Sequence, residues 1–262
     1  MKLVIKLGGT LLDSAESRSR IAKELSAVHA AHTLVVVHGG GKQMTRYLEE
    51  RGIRSQFVNG LRVTTEETLD ALIKVLAGSV NQHLVAALIE AGASAVGLSG
   101  VDGNLVIAEQ MDPALGAVGK VTHSRAELLN ILTQFKFLPV VACLAGDGRG
   151  GFFNVNGDQM AVACATAFGA DRLVFLTDVD GVLNGEGKTI AELDPPGVDR
   201  LIQSGVAKGG MQAKLNAAVS AVNGGVREVC IVSGKRPGGV ADLLAGTIHG
   251  TRLATTKEAT HA

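Results

Sequence analysis

The sequence predicts an α/β protein, a three-layer αβα sandwich around a central and mostly parallel sheet. Short apolar runs of strand-forming residues recur along the 262-residue chain, at positions 3–7, 34–37, 95–98, 138–142, 173–176 and 229–232. Helical stretches separate most of these runs, at about 15–31, 42–51, 66–91, 124–135, 157–168 and 211–223. The runs lack a polar face and are bounded by glycines, which is typical of strands buried on both sides of a parallel sheet. Their alternation with helices indicates a sheet that helices cover on both faces.

We expect a single domain over residues 1–262, because neither a linker nor an internal repeat interrupts the alternation. Within it we predict one continuous sheet and two functional lobes, an N-terminal lobe over about 1–145 and a C-terminal lobe over about 146–262. Segment 102–122 has the pattern of a hairpin inserted into the N-terminal half. Segment 184–197 contains consecutive prolines and is expected to be loop.

The composition excludes several functional classes. The 25 basic and 25 acidic residues balance, no basic run occurs and tryptophan is absent, which is unlike a nucleic-acid-binding protein. The longest apolar runs have five or six residues, far short of the roughly 20 needed to cross a bilayer. The three cysteines, Cys143, Cys164 and Cys230, form no CxxC pair, which argues for a reducing cytoplasm and against a zinc site. Cys143 and Cys230 lie in apolar runs and are expected to be buried.

Glycine is enriched, with 34 residues, and clusters where the predicted strands end. Gly8 and Gly9 follow the first run, Gly39–Gly41 follow the second, and Gly181 follows the run at 173–176. Ligands of parallel α/β sheets bind at the carboxyl ends of the strands, and a glycine turn before a helix offers N–H groups to phosphate. A tight strand-to-helix turn is the alternative, but three consecutive glycines are more than such a turn needs. We therefore interpret Gly39–Gly41 as part of a ligand site.

Two lysines stand out by their positions. Lys6 lies inside a buried type of strand, where an ammonium group is costly unless it meets an anion. The alternative for Lys6 is a side chain that reaches solvent at the strand end. Lys214 falls in the first turn of the predicted helix 211–223, after the sequence Lys208-Gly209-Gly210-Met211, and could instead be a solvated surface lysine. We favour contact with a phosphate for Lys6 and a functional role for Lys214.

Polar residues cluster at the start of the predicted helix 157–168. Asn154, Asn156 and Asp158 alternate along a short segment and could converge on one site. Helix capping by Asn156 or Asp158 is the alternative, but it explains one of these residues and not all three.

Arg62 and His38 are weaker candidates. Arg62, within segment 59–64, could hold a carboxylate through two hydrogen bonds, although a single arginine before a helix is a weak signal. His38 ends an apolar strand beside the glycine turn, and we interpret it as structural rather than catalytic.

Two further motifs have competing interpretations. Gly187-Lys188-Thr189 is like the end of a P-loop, but Val182 stands where that motif needs a glycine. The segment from Asp178 to Gly181 follows a strand and is like the nucleophile motif of haloacid-dehalogenase-type phosphatases, in which the first aspartate is phosphorylated. That interpretation puts the motif far from the start of the chain and leaves the earlier glycine loops unexplained. An aspartate-rich turn is the stronger alternative.

Six segments, in order, resemble those of the amino acid kinase family. They are 6–9 (KLGG), 35–41 (VVVHGGG), 59–64 (NGLRVT), 154–159 (NVNGDQ), 177–183 (TDVDGVL) and 209–218 (GGMxxKxNAA). The first and fifth segments are shared by members that act on carbamate, uridylate or aspartate. NGLRVT and the NVNxD segment are more specific and resemble the branch that phosphorylates N-acetyl-L-glutamate. The resemblance covers the chain from Lys6 to about Leu253.

The resemblance implies the amino acid kinase fold and ATP-dependent phosphorylation of the γ-carboxylate of N-acetyl-L-glutamate, the second step of acetylated arginine biosynthesis. It implies that Lys6 and Lys214 approach the transferred phosphoryl group from its two sides and that Asp158 orients both lysines. Arg62 would hold the α-carboxylate of the substrate and Asn154 its acetamido end. Backbone N–H groups would serve the phosphates and the substrate at Gly8, Gly9, Gly40 and Gly41.

The resemblance also implies how the nucleotide binds. The N-terminal lobe would bind the acyl amino acid and form the dimer interface, and the C-terminal lobe would bind ATP. The nucleotide region would consist of Asp178, Val179, Asp180, Gly181, Val182, Leu183, Val206, Ala207, Lys208 and Gly209, together with Gly8 and Gly9. ATP with Mg²⁺ is the implied co-substrate, without a tightly bound cofactor. No dedicated protein metal site is expected, because the family's metal is held mainly by the nucleotide phosphates.

Members of the family that arginine inhibits carry an extra N-terminal helix that links dimers into hexamers. Only five residues precede Lys6 here, so the resemblance implies a homodimer without arginine feedback, with neither nucleic acid nor a membrane as a partner. One alternative is a sister kinase that acts on carrier-protein-linked glutamate or aminoadipate, against which NGLRVT argues. Another is a non-catalytic amino-acid sensor on the same fold, against which the two lysines and Asp158 argue.

Overall fold

The computed structural model of the chain describes residues 1–247 and 249–254. Its strands include the predicted apolar runs, and further strands lie between these runs and after the last one. In chain order the strands are β1 (Lys2–Leu7), β2 (Thr33–His38), β3 (Phe57–Val58), β4 (Leu61–Arg62), β5 (Ala95–Ser99), β6 (Val106–Gln110), β7 (Gly119–Ser124), β8 (Leu138–Ala142), β9 (Leu144–Gly146), β10 (Phe152–Asn154), β11 (Arg172–Thr177), β12 (Glu192–Leu193), β13 (Glu228–Ser233) and β14 (Gly250–Ala254).

Some of the helices begin where a side chain caps their first turn. Ser14 and Thr65 accept hydrogen bonds from the N–H groups of Ser17 and Thr68 at the starts of two helices. In chain order the helices are α1 (Ala15–Ala31), α2 (Gly41–Glu49), α3 (Glu66–Leu72), a π-helical segment (Ile73–Val80), α4 (Asn81–Glu90), α5 (Glu127–Gln134), α6 (Gly157–Phe168), α7 (Pro195–Gln203), α8 (Gly209–Asn223) and α9 (Gly239–Leu244).

The main sheet has eight strands in the order β12–β14–β13–β11–β1–β2–β8–β5. Neighbouring strands are parallel except for β13 and β14. Leu3, Ile5 and Leu7 point into a core shared with α1 and with helix 66–90, whereas Val4 points into a second core shared with α6 and α8. Because β1 is apolar on both faces, helices cover both sides of the sheet. The predicted three-layer αβα class is confirmed.

A second sheet lies apart from the main one. Its four strands have the order β10–β9–β6–β7, and β3 pairs with β4 as a separate ribbon. The predicted hairpin at 102–122 is formed by β6 and β7, but the expectation of one continuous sheet is wrong. The glycine-rich turn at 146–151 reverses the chain, with Asp147 N–H bound to Gly151 O at 3.1 Å, so β10 folds back on β9. β6 then pairs with β9 rather than with the edge of the main sheet.

The segment expected to be loop at 184–197 is partly ordered. It contains β12, and α7 begins at Pro195. The Asp194 side chain caps α7 by accepting the N–H of Gly197 at 2.8 Å. Proline is favourable at the first positions of a helix because the N–H that it lacks has no partner within the helix. The prolines therefore start a helix here. The proposed lobe boundary near residue 145 stays a prediction.

Among the described residues one helix, Glu66–Glu90, is long and apolar enough to cross a membrane by length and composition alone. Its Leu72, Leu76 and Leu84 are buried in the core on one face of the main sheet. The apolar composition of this helix is thus explained by its packing against the sheet.

Candidate active site

Three charged side chains meet where α6 and α8 cover the carboxyl end of β1. Lys6 Nζ lies 2.8 Å from Asp158 Oδ1, and Lys214 Nζ lies 2.8 Å from Asp158 Oδ2. Lys214 donates a hydrogen bond to Oδ2, whereas Lys6 forms an ion pair without hydrogen-bond geometry at Oδ1. The side chains of Lys6, Asp158 and Lys214 are only 13%, 11% and 12% exposed. One carboxylate is therefore shared by two nearly buried ammonium groups.

Local structure sets this arrangement. Lys6 shares with Val4 the face of β1 that α6 and α8 cover. The side chain of Asn156 accepts the N–H groups of Asp158 and Gln159, so it caps α6 and places Asp158 in the first turn. Helix α8 begins at Gly209, two residues earlier than predicted, so Lys214 lies in its second turn rather than its first.

Burial and the neighbouring charges shift the pKa values of Asp158 and Lys214. Burial by itself would raise the pKa of Asp158, but Lys6 and Lys214 overcome this and hold the pKa below its ordinary value. Burial lowers the pKa of Lys214, and Lys6 lowers it further, against the opposing effect of Asp158. Two cations around one anion leave a net positive charge in a place with little water. Such a site favours the binding of a further anion.

A cleft of about 170 Å³ lies beside the three charges, several times the roughly 30 Å³ that one water takes in the liquid. It is lined by Gly39–Gly41, Arg62, Asn154 and Gly157. A Cβ on Gly157 would lie 3.1 Å from Lys6 Cε, so the cleft opens next to the Lys6 ammonium. Residues predicted to bind the substrate and residues predicted to be catalytic are thus brought together.

Arg62 is buried in the wall of this cleft without a carboxylate partner among the described residues. Its Nη2 donates to Thr45 Oγ1 at 2.8 Å and to Gly41 O at 3.1 Å, and its Nη1 donates to Ser55 Oγ. Its guanidinium carbon lies 4.7 Å from the ring centroid of Phe57. Burial lowers the pKa of Arg62 from its ordinary value. A guanidinium held only by neutral groups is suited to bind an anion bidentately.

Asn154 also lines this cleft and is linked through Thr64 to the backbone of Arg62. Its Nδ2 donates to Thr64 Oγ1 at 3.0 Å, and Thr64 Oγ1 donates to Arg62 O at 2.9 Å. Thr64 is fully buried. The separation of Asn154 from Arg62 is therefore fixed by hydrogen bonds, which suits recognition of two ends of one small molecule.

The two glycine loops differ in what they can offer. The N–H of Gly8 donates to Leu176 O at 2.9 Å, so the expectation that this N–H serves a ligand is corrected: the pairing of β1 with β11 already uses it. Gly9 begins a 3₁₀ turn, Gly9–Leu12. Helix α2 begins at Gly41, and the N–H of this first residue is suited to an anion at the helix N-terminus.

The predicted nucleotide region forms one edge of the site. Asp178 follows β11, and its carboxylate raises the pKa of Lys214 against the effect of burial. A Cβ on Gly185 would lie 3.9 Å from Val206 Cγ2, so the loop after β11 approaches the segment before α8. The region contains exposed residues, Asp178, Val179, Asp180, Leu183, Val206, Lys208 and Gly209, and buried ones, Gly181, Val182 and Ala207. Exposed apolar side chains beside exposed glycine and lysine are compatible with a base and its phosphates.

The loop after β11 also has one position that requires glycine. Gly181 has φ +144°, and a Cβ there would lie 2.7 Å from Thr189 Cγ2 and 2.9 Å from Thr251 Oγ1. Thr251 Oγ1 accepts the N–H of Val182 at 2.8 Å. The DxDG turn is thus fastened to β14 at Gly181 and Val182, and Asp178 stays free of that packing.

His38 and the cysteines are structural, as predicted for His38, Cys143 and Cys230. His38 is fully buried, with Nδ1 2.9 Å from Gly39 O and Nε2 2.9 Å from Asn81 Nδ2. Desolvation lowers the pKa of His38 to about 4. Cys143, Cys164 and Cys230 are free and buried.

Several residues of the site were not predicted from the sequence. Thr45, Ser55 and Phe57 hold Arg62, and Phe175 lies under Lys214. Phe57 is a large apolar residue that is exposed in the structure. The sequence does not show this exposure, because it depends on the fold. In the sequence none of these residues differs from an ordinary turn, helix or core residue, so no signal marked them.

The comparisons with known proteins agree with this geometry. A family model, the amino acid kinase family, matches residues 1–233. The acetylglutamate kinase of Solibacter usitatus (strain Ellin6076) is 59% identical over 97% of this chain and 100% of its own length. The acetylglutamate kinase of Geobacillus kaustophilus (strain HTA426) is 43% identical over 96% of this chain and 95% of its own.

Solved structures show the same fold. An N-acetylglutamate synthase from Neisseria gonorrhoeae, complexed with coenzyme A and N-acetyl-glutamate, matches 97% of this chain with a TM-score of 0.86 and 25% identity. This chain spans 59% of that synthase chain. The match to the family model over most of the sequence and the 59% identity to a full-length relative show that the chain belongs to the amino acid kinase family.

Proposed function

We propose that the protein phosphorylates the γ-carboxylate of N-acetyl-L-glutamate with ATP and releases N-acetyl-L-glutamyl 5-phosphate and ADP, the second step of acetylated arginine biosynthesis. The observation that carries this proposal is the cluster of Lys6, Asp158 and Lys214 beside a cleft whose buried Arg62 has no carboxylate partner among the described residues. The acetylglutamate kinases that match over nearly the whole chain support the same assignment.

In the reaction a γ-carboxylate oxygen attacks the γ-phosphorus of ATP in line, and the bond from that phosphorus to the bridging oxygen of ADP breaks. No proton has to be removed from the nucleophile, because a carboxylate is already ionised at neutral pH. The protein therefore contributes position and positive charge rather than acid–base chemistry. Lys6 and Lys214 supply the charge on the two sides of the phosphoryl group, and Asp158 holds both ammonium groups in place.

The acceptor is bound through its other polar groups. Arg62 takes the α-carboxylate, and Asn154 takes the acetamido group at the distance that Thr64 sets. The N–H groups of Gly40 and Gly41, in the loop before α2, would bind the reacting carboxylate and the transferred phosphoryl group. A substrate held at three points leaves its γ-carboxylate one orientation toward the nucleotide.

The nucleotide occupies the edge formed by Asp178–Leu183 and Val206–Gly209, with Lys208 and the start of α8 toward its phosphates. ATP enters with Mg²⁺, which neutralises phosphate charge. No group of three or more His, Cys, Asp or Glu side chains suited to a metal occurs in the described part of the chain. As the family resemblance implies, the nucleotide phosphates would be the main ligands of the metal.

We further propose that the protein works as a homodimer in the cytoplasm. Ile131 of α5, Phe135 just after α5 and Ile89 of α4 are large exposed apolar side chains, and α4 packs against the edge strand β5. An uncovered sheet edge with apolar neighbours is suited to pairing with a second copy. Three buried free thiols suit a reducing compartment. Sedimentation equilibrium that gives a single monomer mass would contradict the dimer.

Trapping of the acyl phosphate tests the reaction. With ATP, Mg²⁺ and N-acetyl-L-glutamate, hydroxylamine should convert the product to a hydroxamate, in amounts equal to the ADP formed. Parallel reactions contain carrier-protein-linked glutamate, carrier-linked aminoadipate or no acceptor. Hydroxamate only with a carrier-linked acceptor would assign the sister activity, and binding of N-acetyl-L-glutamate without any turnover would assign a sensor. Either result overturns the proposal.

A further inference from the structure

Beneath the Lys214 ammonium lies the ring of Phe175, to which the sequence and the family resemblance assign no role. Lys214 Nζ is 4.8 Å from the ring centroid, within the range of cation–π attraction. We propose, on the basis of the function proposed above, that Phe175 is a positioning residue whose ring face holds the Lys214 ammonium against Asp158 and toward the transferred phosphoryl group.

The ring is fixed more firmly than the lysine that it supports. Phe175 is fully buried in β11, and its backbone is in register with Lys6 on β1 and with Ile231 on β13. It belongs to the apolar core that α6 and α8 form with the sheet. A ring packed on all sides in a central strand keeps its position while a four-carbon side chain has many rotamers.

The charge distribution explains why Lys214 needs this support. Asp158 carries one negative charge, and Lys6 and Lys214 carry two positive charges at 2.8 Å from its oxygens. Because the two ammonium groups share one carboxylate, its negative charge cannot fully offset the loss of water around each of them. An aromatic ring face is negative, attracts a cation without adding a formal charge and is more effective when the cation is desolvated.

The support is asymmetric. In the described part of the structure Lys214 has an aromatic ring beneath its ammonium group, and Lys6 has none within cation–π distance. Lys6 lies on a strand of the central sheet, whereas Lys214 lies on a helix in an outer layer of the sandwich. The ring thus supports the lysine that lies on the outer helix, and not the lysine that lies on the sheet.

An ordinary core residue would explain the burial of Phe175 but predicts no dependence on ring electrons. Site-specific replacement of Phe175 by 4-fluoro-, 3,5-difluoro- and 3,4,5-trifluorophenylalanine weakens the negative ring face in steps with little change in shape. We expect log kcat to fall in proportion to the number of fluorines, to about a tenfold loss for the trifluoro ring, with a nearly constant melting temperature. Unchanged kcat along this series would overturn the proposal.

Phe168 offers a matched control, because its ring lies 4.5 Å from Lys2 Nζ, away from the three charges. The same fluorinated series at Phe168 should leave kcat unchanged. If kcat falls equally at both positions, general disturbance of the core explains the effect and the proposal is wrong.

A measurement without turnover separates this proposal from the proposed reaction. The ring favours the charged form of Lys214, so fluorination of Phe175 should lower the pH at which Lys214 titrates, as followed by NMR of the ¹⁵N-labelled ammonium group. Lys214→Arg identifies the resonance by its loss. A titration that stays constant along the series refutes the role of Phe175, whereas absence of acyl phosphate in the wild-type protein refutes the reaction and leaves the titration result intact.

Discussion

Asn81 donates a hydrogen bond from Nδ2 to Nε2 of His38 over 2.9 Å, and the same Nδ2 donates to Val140 O over 2.9 Å. The second contact fixes the amide orientation, because a carbonyl oxygen only accepts. Nε2 of His38 is therefore an acceptor, and Nδ1 carries the proton that it donates to Gly39 O at 2.9 Å. A neutral imidazole of defined tautomer links helix α4, which carries Asn81, to the first residue of the glycine loop.

The pH dependence of folding should reveal this neutral histidine. Burial lowers the pKa of His38 to about 4, against an ordinary value of 6.5. Between these values the unfolded chain binds a proton that the native protein does not, so stability is lost as the pH falls from about 6.5 toward 4. We expect His38 to account for about 3 kcal/mol of the decrease in unfolding free energy over that range.

Denaturant unfolding at several pH values measures this contribution. His38→Gln removes the titrating group, so its unfolding free energy should decrease less steeply than that of the wild type between pH 6.5 and 4. The exposed His123 provides the control, and His123→Gln should keep the wild-type slope. Parallel curves for wild type and His38→Gln would mean that His38 is not held neutral.

The sequence predicts the elements and the convergence of the site better than it predicts contacts. The residues alone predict an anion beside Lys6, because a lysine in an apolar strand needs one, whereas the family resemblance implies that this lysine meets Asp158. The ring of Phe175 could not be connected with Lys214, because this contact depends on how α8 lies on β11. The resemblance implies that the N–H of Gly8 binds a ligand, and only the register of β1 with β11 shows that Leu176 O already accepts it.

Removal of the shared carboxylate should affect both folding and turnover. In Asp158→Asn, Lys6 and Lys214 lose their common partner and face each other as two nearly buried cations. We expect a loss of stability of about 3 kcal/mol and a kcat at least about 100-fold lower. Thermal unfolding and a coupled assay of ADP formation measure the two effects. The exposed Asp199 on α7 is the control, and Asp199→Asn should change neither quantity.

The alkaline limit of activity should depend on Lys214. Burial, reinforced by Lys6, lowers the pKa of Lys214, so its ammonium loses a proton at a lower pH than an ordinary lysine does. Because the proposed role of Lys214 requires its charged form, kcat should decline as the pH rises through that lowered pKa. Lys214→Arg keeps its charge, so its reduced kcat should persist to higher pH. If kcat of Lys214→Arg still declines at the same high pH as that of the wild type, a group other than Lys214 is responsible for the decline.

Gly40 and Gly39 are neighbours that should respond differently to a methyl group. A Cβ on Gly40 would lie 2.5 Å from Leu76 Cδ2 in the π-helical segment, whereas a Cβ on Gly39 would meet nothing within 4 Å. Leu76 is itself buried, so it has little room to move. Gly40→Ala should lower stability by about 1–3 kcal/mol and weaken binding of the acceptor, and Gly39→Ala should leave stability unchanged. Equal effects of the two substitutions would show that Leu76 does not set the position of the loop.

Substitution of Arg62 should separate binding of the acceptor from binding of ATP. Arg62 contacts Thr45, Gly41 O and Ser55 through different N–H groups, and a lysine at this position cannot keep that orientation. Arg62→Lys should raise the KM for N-acetyl-L-glutamate about 10- to 100-fold, because a bidentate pair becomes a single contact, while the KM for ATP changes little.

The exposed Arg54 lies in the same connection between α2 and α3, and Arg54→Lys should leave both constants unchanged. The fold should withstand Arg62→Lys, because the guanidinium is partnered by neutral groups and no buried carboxylate is orphaned. Equal increases in both KM values would mean that Arg62 supports the whole site rather than one carboxylate of the acceptor. A selective increase would place the α-carboxylate at Arg62, and from there the Thr64 link to Asn154 leaves the γ-carboxylate directed toward Lys6.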